Sequence, residues 1–290
     1  MTKLSLPGSI WLASDIHLGP HCPATVQSFH RFLTAASLQA DALILCGDIF
    51  ESWIGDDLAL KDPPIWLALT IDRLRNVSER IPLWLGRGNR DFLMGPQLAR
   101  HVNALLLPEP ALIHTDAGLI LLSHGDEYCT HDPGYQRFRS LVRNRRVQDI
   151  FLDLSLGTRQ RIANWARERS KRANRNKSKA ILDVNTRSVE HAFSRYGVQI
   201  MVHGHTHRPG AYRVRVEGSI RTRYVLPDWD YDHDKPRGGW LEISRKGCNL
   251  HDWRPPELES ANSSGSGKKP DGKNAPQTDP VPGKRPVGMS

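Results

Sequence analysis

Five short apolar runs, each closed by a cluster of Asp, His, Asn and Gly, set the rhythm of the chain. Ile10-Trp11-Leu12-Ala13 leads into Ser14-Asp15-Ile16-His17, and Ala42 to Cys46 into Gly47-Asp48. Ile81 to Leu85 precedes Gly88-Asn89-Arg90-Asp91, Leu119 to Leu122 precedes Ser123-His124-Gly125-Asp126, and Val198 to Val202 precedes His203-Gly204-His205-Thr206-His207. Runs of four to six apolar residues predict strands covered on both faces. Helical periodicity over residues 24–39 and 64–78 separates several of them, the alternation of a layered α/β fold. In such sheets ligands gather beyond the carboxyl ends of the strands, so all five polar clusters are expected to face one site.

Residues 135–196 follow a different pattern. Apolar positions recur at spacings of three and four, at Tyr135, Phe138, Leu141 and Val142, at Ile150, Phe151, Leu152, Leu154 and Leu156, and at Ile162, Trp165 and Ala166. This predicts amphipathic helices, whose Phe138, Leu141, Phe151, Leu152, Leu154 and Leu156 read as helix–helix core. Falling between the fourth and fifth clusters, the segment is expected to cap the site. The expected organisation is a core formed by residues 1–134 and 197–254, a helical cap insertion over 135–196, and a tail over 255–290. That tail is Ser, Gly, Pro, Lys and Asn with almost no large apolar residue and is expected to be disordered.

Charge sharpens this division. The formal charge of +9 suggests nucleic acid or an anionic membrane surface as a partner. Residues 137–187, however, hold 15 Lys and Arg against 4 Asp and Glu, a local excess of +11, whereas the tail contributes +1 and the remainder −3. The basic surface is therefore expected on the cap, with Arg143, Arg145 and Arg146 as membrane-facing candidates. No apolar run approaches the ~20 residues of a transmembrane helix, and no secretory h-region is seen before Asp15, so a cytoplasmic location is expected. Cys22, Cys46, Cys129 and Cys248 are scattered without Cys-x-x-Cys spacing, and Cys46 reads as a small core residue.

The clusters together supply Asp15, His17, Asp48, Asn89, His124, His205 and His207. Any one of them alone reads as a turn or a cap, but turns do not explain their joint recurrence at five strand ends. Oxygen and imidazole donors without thiolate suit Mn²⁺, Fe²⁺, Zn²⁺ or Mg²⁺. Seven donors exceed one tetrahedral site and fit two ions sharing a bridging carboxylate, the arrangement used for in-line phosphoryl displacement.

The series DIHLG, GDIFESWIGDD, GNRD, SHGD and HGHTHRP resembles the calcineurin-like metallophosphoesterase superfamily over roughly residues 10–245. The resemblance implies a β-sandwich flanked by helices. It also implies one metal on Asp15, His17, Asp48 and His207 and a second on Asp48, Asn89, His124 and His205, with Asp48 bridging. Most members of that superfamily have Gly-Asn-His where this chain has Gly88-Asn89-Arg90. An Arg cannot donate a proton at neutral pH but holds phosphate oxygens bidentately, which suits a pyrophosphate, whose phosphate leaving group barely needs a general acid.

With that Arg, the stretches GDIFESWIGDD, CTHDPGYQRFR and RERSKRANRNKSKAILDVN resemble the UDP-2,3-diacylglucosamine pyrophosphatase family of bacterial lipid A biosynthesis. The resemblance implies a Mn²⁺ pair driving water onto the α-phosphorus of UDP-2,3-diacylglucosamine, giving UMP and 2,3-diacylglucosamine 1-phosphate. Substrate contacts would be Asn89, Arg90, Asp132, Ser170, Asn174, Lys177 and His205. Arg90 and His205 would neutralise phosphoryl charge, and Asp91 and Asp126 would orient metal-ligating histidines. The apolar cap residues would alternatively line an acyl-chain chamber. His131 and Arg175-Asn176 depart from that family's pattern. The expected partners are the nucleotide-lipid and the anionic inner-membrane surface, reached from the cytoplasmic side, with neither nucleic acid nor an obligate protein partner implied. Two other readings stay open: a different dinuclear phosphoesterase, such as a nucleotide phosphatase or nuclease, and a basic membrane-adhering protein with a structural metal site.

Overall fold

The computed structural model describes residues 3–175 and 183–255. Its centre follows from strands that are apolar on both faces. In β2 (Ile10–Ala13) and β3 (Ala42–Cys46) every residue is buried. Alternate positions serve two cores, as the period of two requires. Ile10, Leu12, Ala42, Ile44 and Cys46 pack inward against the second sheet, whereas Trp11, Ala13, Leu43 and Leu45 pack outward under α1 (Pro23–Gln39) and α3 (Ile65–Ser78). Cys46 is a core residue, as expected.

The first sheet runs β12 (Gly247–Asp252), β11 (Gly239–Ser244), β2, β3, β4 (Leu83–Gly86) and β5 (Leu105–Leu106), with β2 to β5 mutually parallel. The second runs β1 (Lys3–Ser5), β6 (Ala111–Thr115), β7 (Gly118–Leu122), β8 (Ile200–His203), β10 (Ser219–Val225) and β9 (Gly210–Val216). Its outer residues Leu121, Met201 and Val216 are covered by Val189, Ala192 and Phe193 of α8 (Thr186–Tyr196). The result is a β-sandwich flanked by helices. Parallel β2, β3 and β4, and parallel β7 and β8, end in the five polar clusters, so the topology aims them at one edge of the sandwich.

The expected helices over 24–39 and 64–78 match α1 and α3. Two of the five expected strands begin two residues later than their apolar runs, at Leu83 and Ile200. The hairpins β9–β10 and β11–β12 are not visible as apolar runs. Edge strand β9 exposes Ala211, Tyr212, Arg213 and Arg215 and buries only Val216, so it offers no continuous apolar run.

The segment expected to cap the site, residues 135–196, carries α5 (Pro133–Val142), α6 (Arg145–Leu152) and α7 (Leu156–Arg175) ahead of α8, and α5–α7 are termed the cap. Its expected helix–helix core is not observed. Phe138, Leu141, Leu152, Leu154 and Leu156 are 36–57% exposed, and only Phe151 packs partly against the core of the first sheet. Polar anchors hold the cap instead. Arg159, 3% exposed, donates to the carbonyls of Ile54 and Leu154 and to both carboxylate oxygens of Asp57. Its neighbour Asp56 accepts from the amides of Gly95, Gln97 and Leu98, at the start of α4 (Pro96–His101), and from the Trp53 indole. The last two acids of GDIFESWIGDD, Asp56 and Asp57, thus fasten a core helix and α7 respectively. Arg143 is a third anchor, bonded to Glu109 and the Gly88 carbonyl, which corrects its expected place on a free basic surface. Within the 135–196 segment α8 differs from the other helices, because its apolar face is buried on the second sheet.

Among the described residues no helix is long and apolar enough to cross a membrane. Lys177 and the tail beyond Pro255 lie outside the described residues, as does the side chain of Asn174. Replacing Arg159 by Ala is expected to cost about 1–3 kcal/mol, because two carbonyls and Asp57 lose a buried donor together. Urea denaturation measures that loss, and faster proteolysis between α6 and α7 would locate it to the cap.

Candidate metal centre

Seven side chains from the five strand ends meet at the edge of the sandwich. Oδ2 of Asp48 is 4.0 Å from Nε2 of His17 and 3.6 Å from Nε2 of His124. Oδ1 of Asp15 lies 3.5 Å from Nε2 of His207 and 4.0 Å from Nε2 of His17, and those two imidazole nitrogens are 3.3 Å apart. Oδ1 of Asn89 sits between His124 Nε2, at 3.1 Å, and His205 Nδ1, at 2.8 Å. Donor atoms of Asp15, His17 and His207 fall within 4.8 Å of one another, as do those of Asp15, Asp48 and His124. Asp48 faces both halves of the cluster.

The backbone is bent to reach this geometry. Eight described non-glycine residues have φ between 50° and 67°, and five of them are Asp15, His17, Asp48, His205 and His207. Left-handed backbone is unfavourable for such residues and persists only where its surroundings over-determine it. Those surroundings are hydrogen bonds between loops. Asp15 and His17 donate their amides to Gly47 and Asp48, Gly204 donates to the His124 carbonyl, and the His205 amide meets both carboxylate oxygens of Asp15 at 2.9 and 3.1 Å. Glycine is needed at two close approaches. A Cβ on Gly88 would stand 2.1 Å from Asp48 Oδ1, and one on Gly204 would stand 2.2 Å from Asp15 Oδ2.

Buried carboxylates and imidazoles at this density do not hold ordinary charges. Burial pushes the Asp48 carboxyl up to about 7, with Asp91 and Asp15 adding to the rise against His124. Asp15 is held well below the usual carboxylate range: burial opposes this, but the bond to His207 and the nearby imidazoles outweigh it. His124 rises to about 9 and His207 to about 10, against burial, because carboxylates surround them. Burial drives His17 down to about 3 and His205 to about 4. The cluster therefore draws positive charge onto itself, as protons on His124 and His207, and divalent cations satisfy the same demand. Oxygen and nitrogen donors, two of them buried carboxylates, fit hard to borderline divalent ions.

Two expected roles are corrected. Asp91 feels the charge of His124, but its hydrogen bonds gather the amides of Gly88, Asp48, Ile49 and Phe50 at 2.7–3.3 Å, welding the β3 and β4 loops together. Asp126 accepts from the Tyr135 hydroxyl and from Nε of Arg139, both at 2.7 Å, so it ties α5 to the His124 loop instead of orienting that ring. Among the expected substrate residues, Arg90 Nη1 is 3.6 Å from Glu51, and its amide donates to Asp48 at 2.7 Å. Asp132 caps α5 through the Tyr135 amide, and Ser170 is exposed on α7.

Two carboxylates at the site were not singled out from the sequence. Glu51 lies 3.5 Å from His17 Nδ1, and Asp228 lies 3.4 Å from His207 Nδ1. Glu51, three residues after Asp48, was within reach of a motif reading. Asp228 follows β10, where no spacing links it to a ligand.

The profile of the family described as calcineurin-like phosphoesterase matches residues 8–209. A protein of Bordetella parapertussis named UDP-2,3-diacylglucosamine hydrolase is 54% identical over 253 residues, covering 87% of this chain and 98% of its own. Proteins of the same name from Proteus mirabilis and Salmonella agona are 41% and 43% identical, covering 74% and 76% of this chain and 89% and 90% of theirs.

The energetic cost of the cluster is testable without turnover. In chelator at pH 8, above the raised Asp48 value, the wild-type protein buries a carboxylate that Asp48→Asn replaces by a neutral amide. The variant is expected to be more stable there by about 0.5–2 kcal/mol, with the gain shrinking as the pH falls below 7 and wild-type Asp48 takes up a proton. Urea denaturation against pH measures both.

Proposed function

The chain belongs to the calcineurin-like phosphoesterase family and, within it, to the UDP-2,3-diacylglucosamine hydrolases, and from that premise we propose that it hydrolyses the pyrophosphate bond of UDP-2,3-diacylglucosamine. Water adds to the α-phosphorus, and the products are UMP and 2,3-diacylglucosamine 1-phosphate, a step of lipid A synthesis. The observation that carries the reading is the convergence of seven oxygen and nitrogen donors from five strand ends with an Arg beside them.

Asp15, His17, Asp48 and His207 would hold one ion and Asp48, Asn89, His124 and His205 the other, with Asp48 shared. Once bound, a Mn²⁺ pair supplies Lewis acidity that activates water at neutral pH and neutralises phosphoryl oxygens. Arg90 supplies permanent charge for the oxygens of the pyrophosphate. It is steadied by Glu51, whose carboxylate also pairs with Arg167 of α7 and whose backbone carbonyl accepts from that arginine at 3.2 Å, so the residue ties the cap to the reaction edge. Burial and the neighbouring His124 suppress the basicity of His205, so among the two side chains expected to meet phosphoryl charge Arg90 is the one that brings a permanent positive charge. The leaving phosphate departs as a stable anion, which is why an Arg in place of an acid is chemically sufficient.

The exposed apolar residues of the cap suit a diacylated substrate. Ile150 and Trp165 are 69% and 65% exposed, with Arg145 and Arg146 exposed on the same insertion. Such a surface supports peripheral association with an anionic leaflet from the cytoplasmic side, where each basic residue contributes about 1 kcal/mol.

Product analysis with UDP-2,3-diacylglucosamine across a series of divalent metals is the direct test. Release of UMP, fastest with Mn²⁺, is expected, and turnover of nucleic acid without UMP release would replace this reading by a nuclease. Arg90→Ala is expected to lower kcat by about 10²–10³-fold. Replacing Arg145 and Arg146 by Glu should reduce flotation with anionic vesicles at low salt while UMP release from detergent-dispersed substrate persists.

A further inference from the structure

Asp228 stands just past β10, outside every motif of the site, and is only 4% exposed. Its Oδ2 lies 3.4 Å from Nδ1 of His207. The opposite ring nitrogen, Nε2, faces the donor cluster, 3.5 Å from Asp15 Oδ1 and 3.3 Å from His17 Nε2. One imidazole is thus strung between a carboxylate behind it and the cluster in front. A neutral imidazole carries a single N–H, and a carboxylate at Nδ1 keeps the proton there, leaving the Nε2 lone pair free to bind a cation.

Asp228 is itself held. Arg237 reaches its Oδ2 with Nε at 2.9 Å and Nη2 at 2.8 Å, and spans to Asp230 with Nη1 at 3.3 Å. The main chain on either side is anchored to both sheets: the Leu226 amide donates to the His203 carbonyl at 2.8 Å, and the Trp229 amide to the Asp15 carbonyl at 3.0 Å. The Trp229 indole adds a bond to Gly239 at 3.1 Å. A strap fixed to the loops that carry Asp15, His205 and His207 holds one carboxylate behind one ligand ring. Glu51 behind His17 is about a third exposed, so that ring is less firmly oriented.

We propose that Asp228 is a positioning residue that fixes the tautomer and orientation of His207, with Arg237 fixing Asp228, and that it sets the divalent-metal affinity of the half-site formed by Asp15, His17 and His207. The proposal rests on His207 being a metal ligand. If Asp228 served only as a structural partner of Arg237, its removal would lower stability and leave metal affinity alone.

The test is calorimetric titration of Mn²⁺ into the metal-stripped full chain for wild type, Asp228→Ala, Asp228→Asn, Arg237→Ala and His207→Ala, with unfolding in chelator as the stability control. His207→Ala should lose one of two ions. Asp228→Ala should weaken one of the two sites by about 10–100-fold and regain kcat at saturating Mn²⁺. Asp228→Asn, which keeps an oxygen acceptor for the Nδ1 proton, should fall between, and Arg237→Ala should weaken the same site less. Should Asp228→Ala fail to fold, Asp228→Asn and Arg237→Ala carry the comparison. Affinities within about twofold of wild type in the Asp228 and Arg237 variants, with one ion lost in His207→Ala, overturn this proposal alone. Two ions retained by His207→Ala overturn the ligand reading as well.

Discussion

Two carboxylates, Asp15 and Asp48, lie buried where the edges of two sheets meet, and the surrounding structure exists to tolerate them. An unpaired buried charge is costly, and a protein keeps one only where partners or cations compensate it. Here compensation starts with the backbone. The His205 amide turns onto Asp15, the Arg90 amide onto Asp48, and Asp91 collects four further amides from the loops that carry Asp48 and Asn89. Left-handed conformations at five donor residues of the cluster and two glycines pressed against the carboxylates follow from the same requirement. A framework that holds charges apart from water and close to one another has a standing affinity for divalent cations, and phosphoryl chemistry uses that affinity.

The cap obeys a different physics. Its helices bury little apolar surface and are held instead by arginines: Arg159 on Asp57 and the Ile54 carbonyl, Arg143 on Glu109 and Gly88, Arg139 on Asp126 and Glu109. The basic excess of the insertion therefore divides into anchors directed at the core and free cations such as Arg145 and Arg146. Because the anchors are directional and few, the apolar side chains of α5–α7 stay largely exposed, where a packed helical bundle would have hidden them. Two of the anchors also reach the reaction edge, Arg143 through the Gly88 carbonyl and Arg139 through the His124 loop, so the position of the cap and the shape of the site are mechanically joined.

Much of this was legible in the residues alone. Strands β2 and β3 announce themselves because both faces are buried and every position is apolar, and the polar residues that end them cannot continue such a run. The seven donors were likewise readable, because each follows a strand whose end the topology directs to one edge. The hairpins β9–β10 and β11–β12 were not, since strands with one open face alternate and leave no continuous run. Asp91 looked like a partner for a histidine because both residue types accompany metals, yet its oxygens were required by four amides that sequence spacing does not reveal. Arg143 looked like a surface cation for the same reason: a charge count assigns a sign to a segment but not a direction to a side chain.

The sequence by itself determined the elements, their order and the chemical identity of the donors, because local periodicity and residue type act over a few positions. Only the tertiary structure decided which carboxylate backs which imidazole, which arginines anchor and which remain free, and how far the cap packs. Those choices depend on contacts such as Asp228 with His207 and Arg159 with Asp57, between residues distant along the chain. Burial sets the cost of leaving any of them unmade, and burial exists only once both sheets have closed.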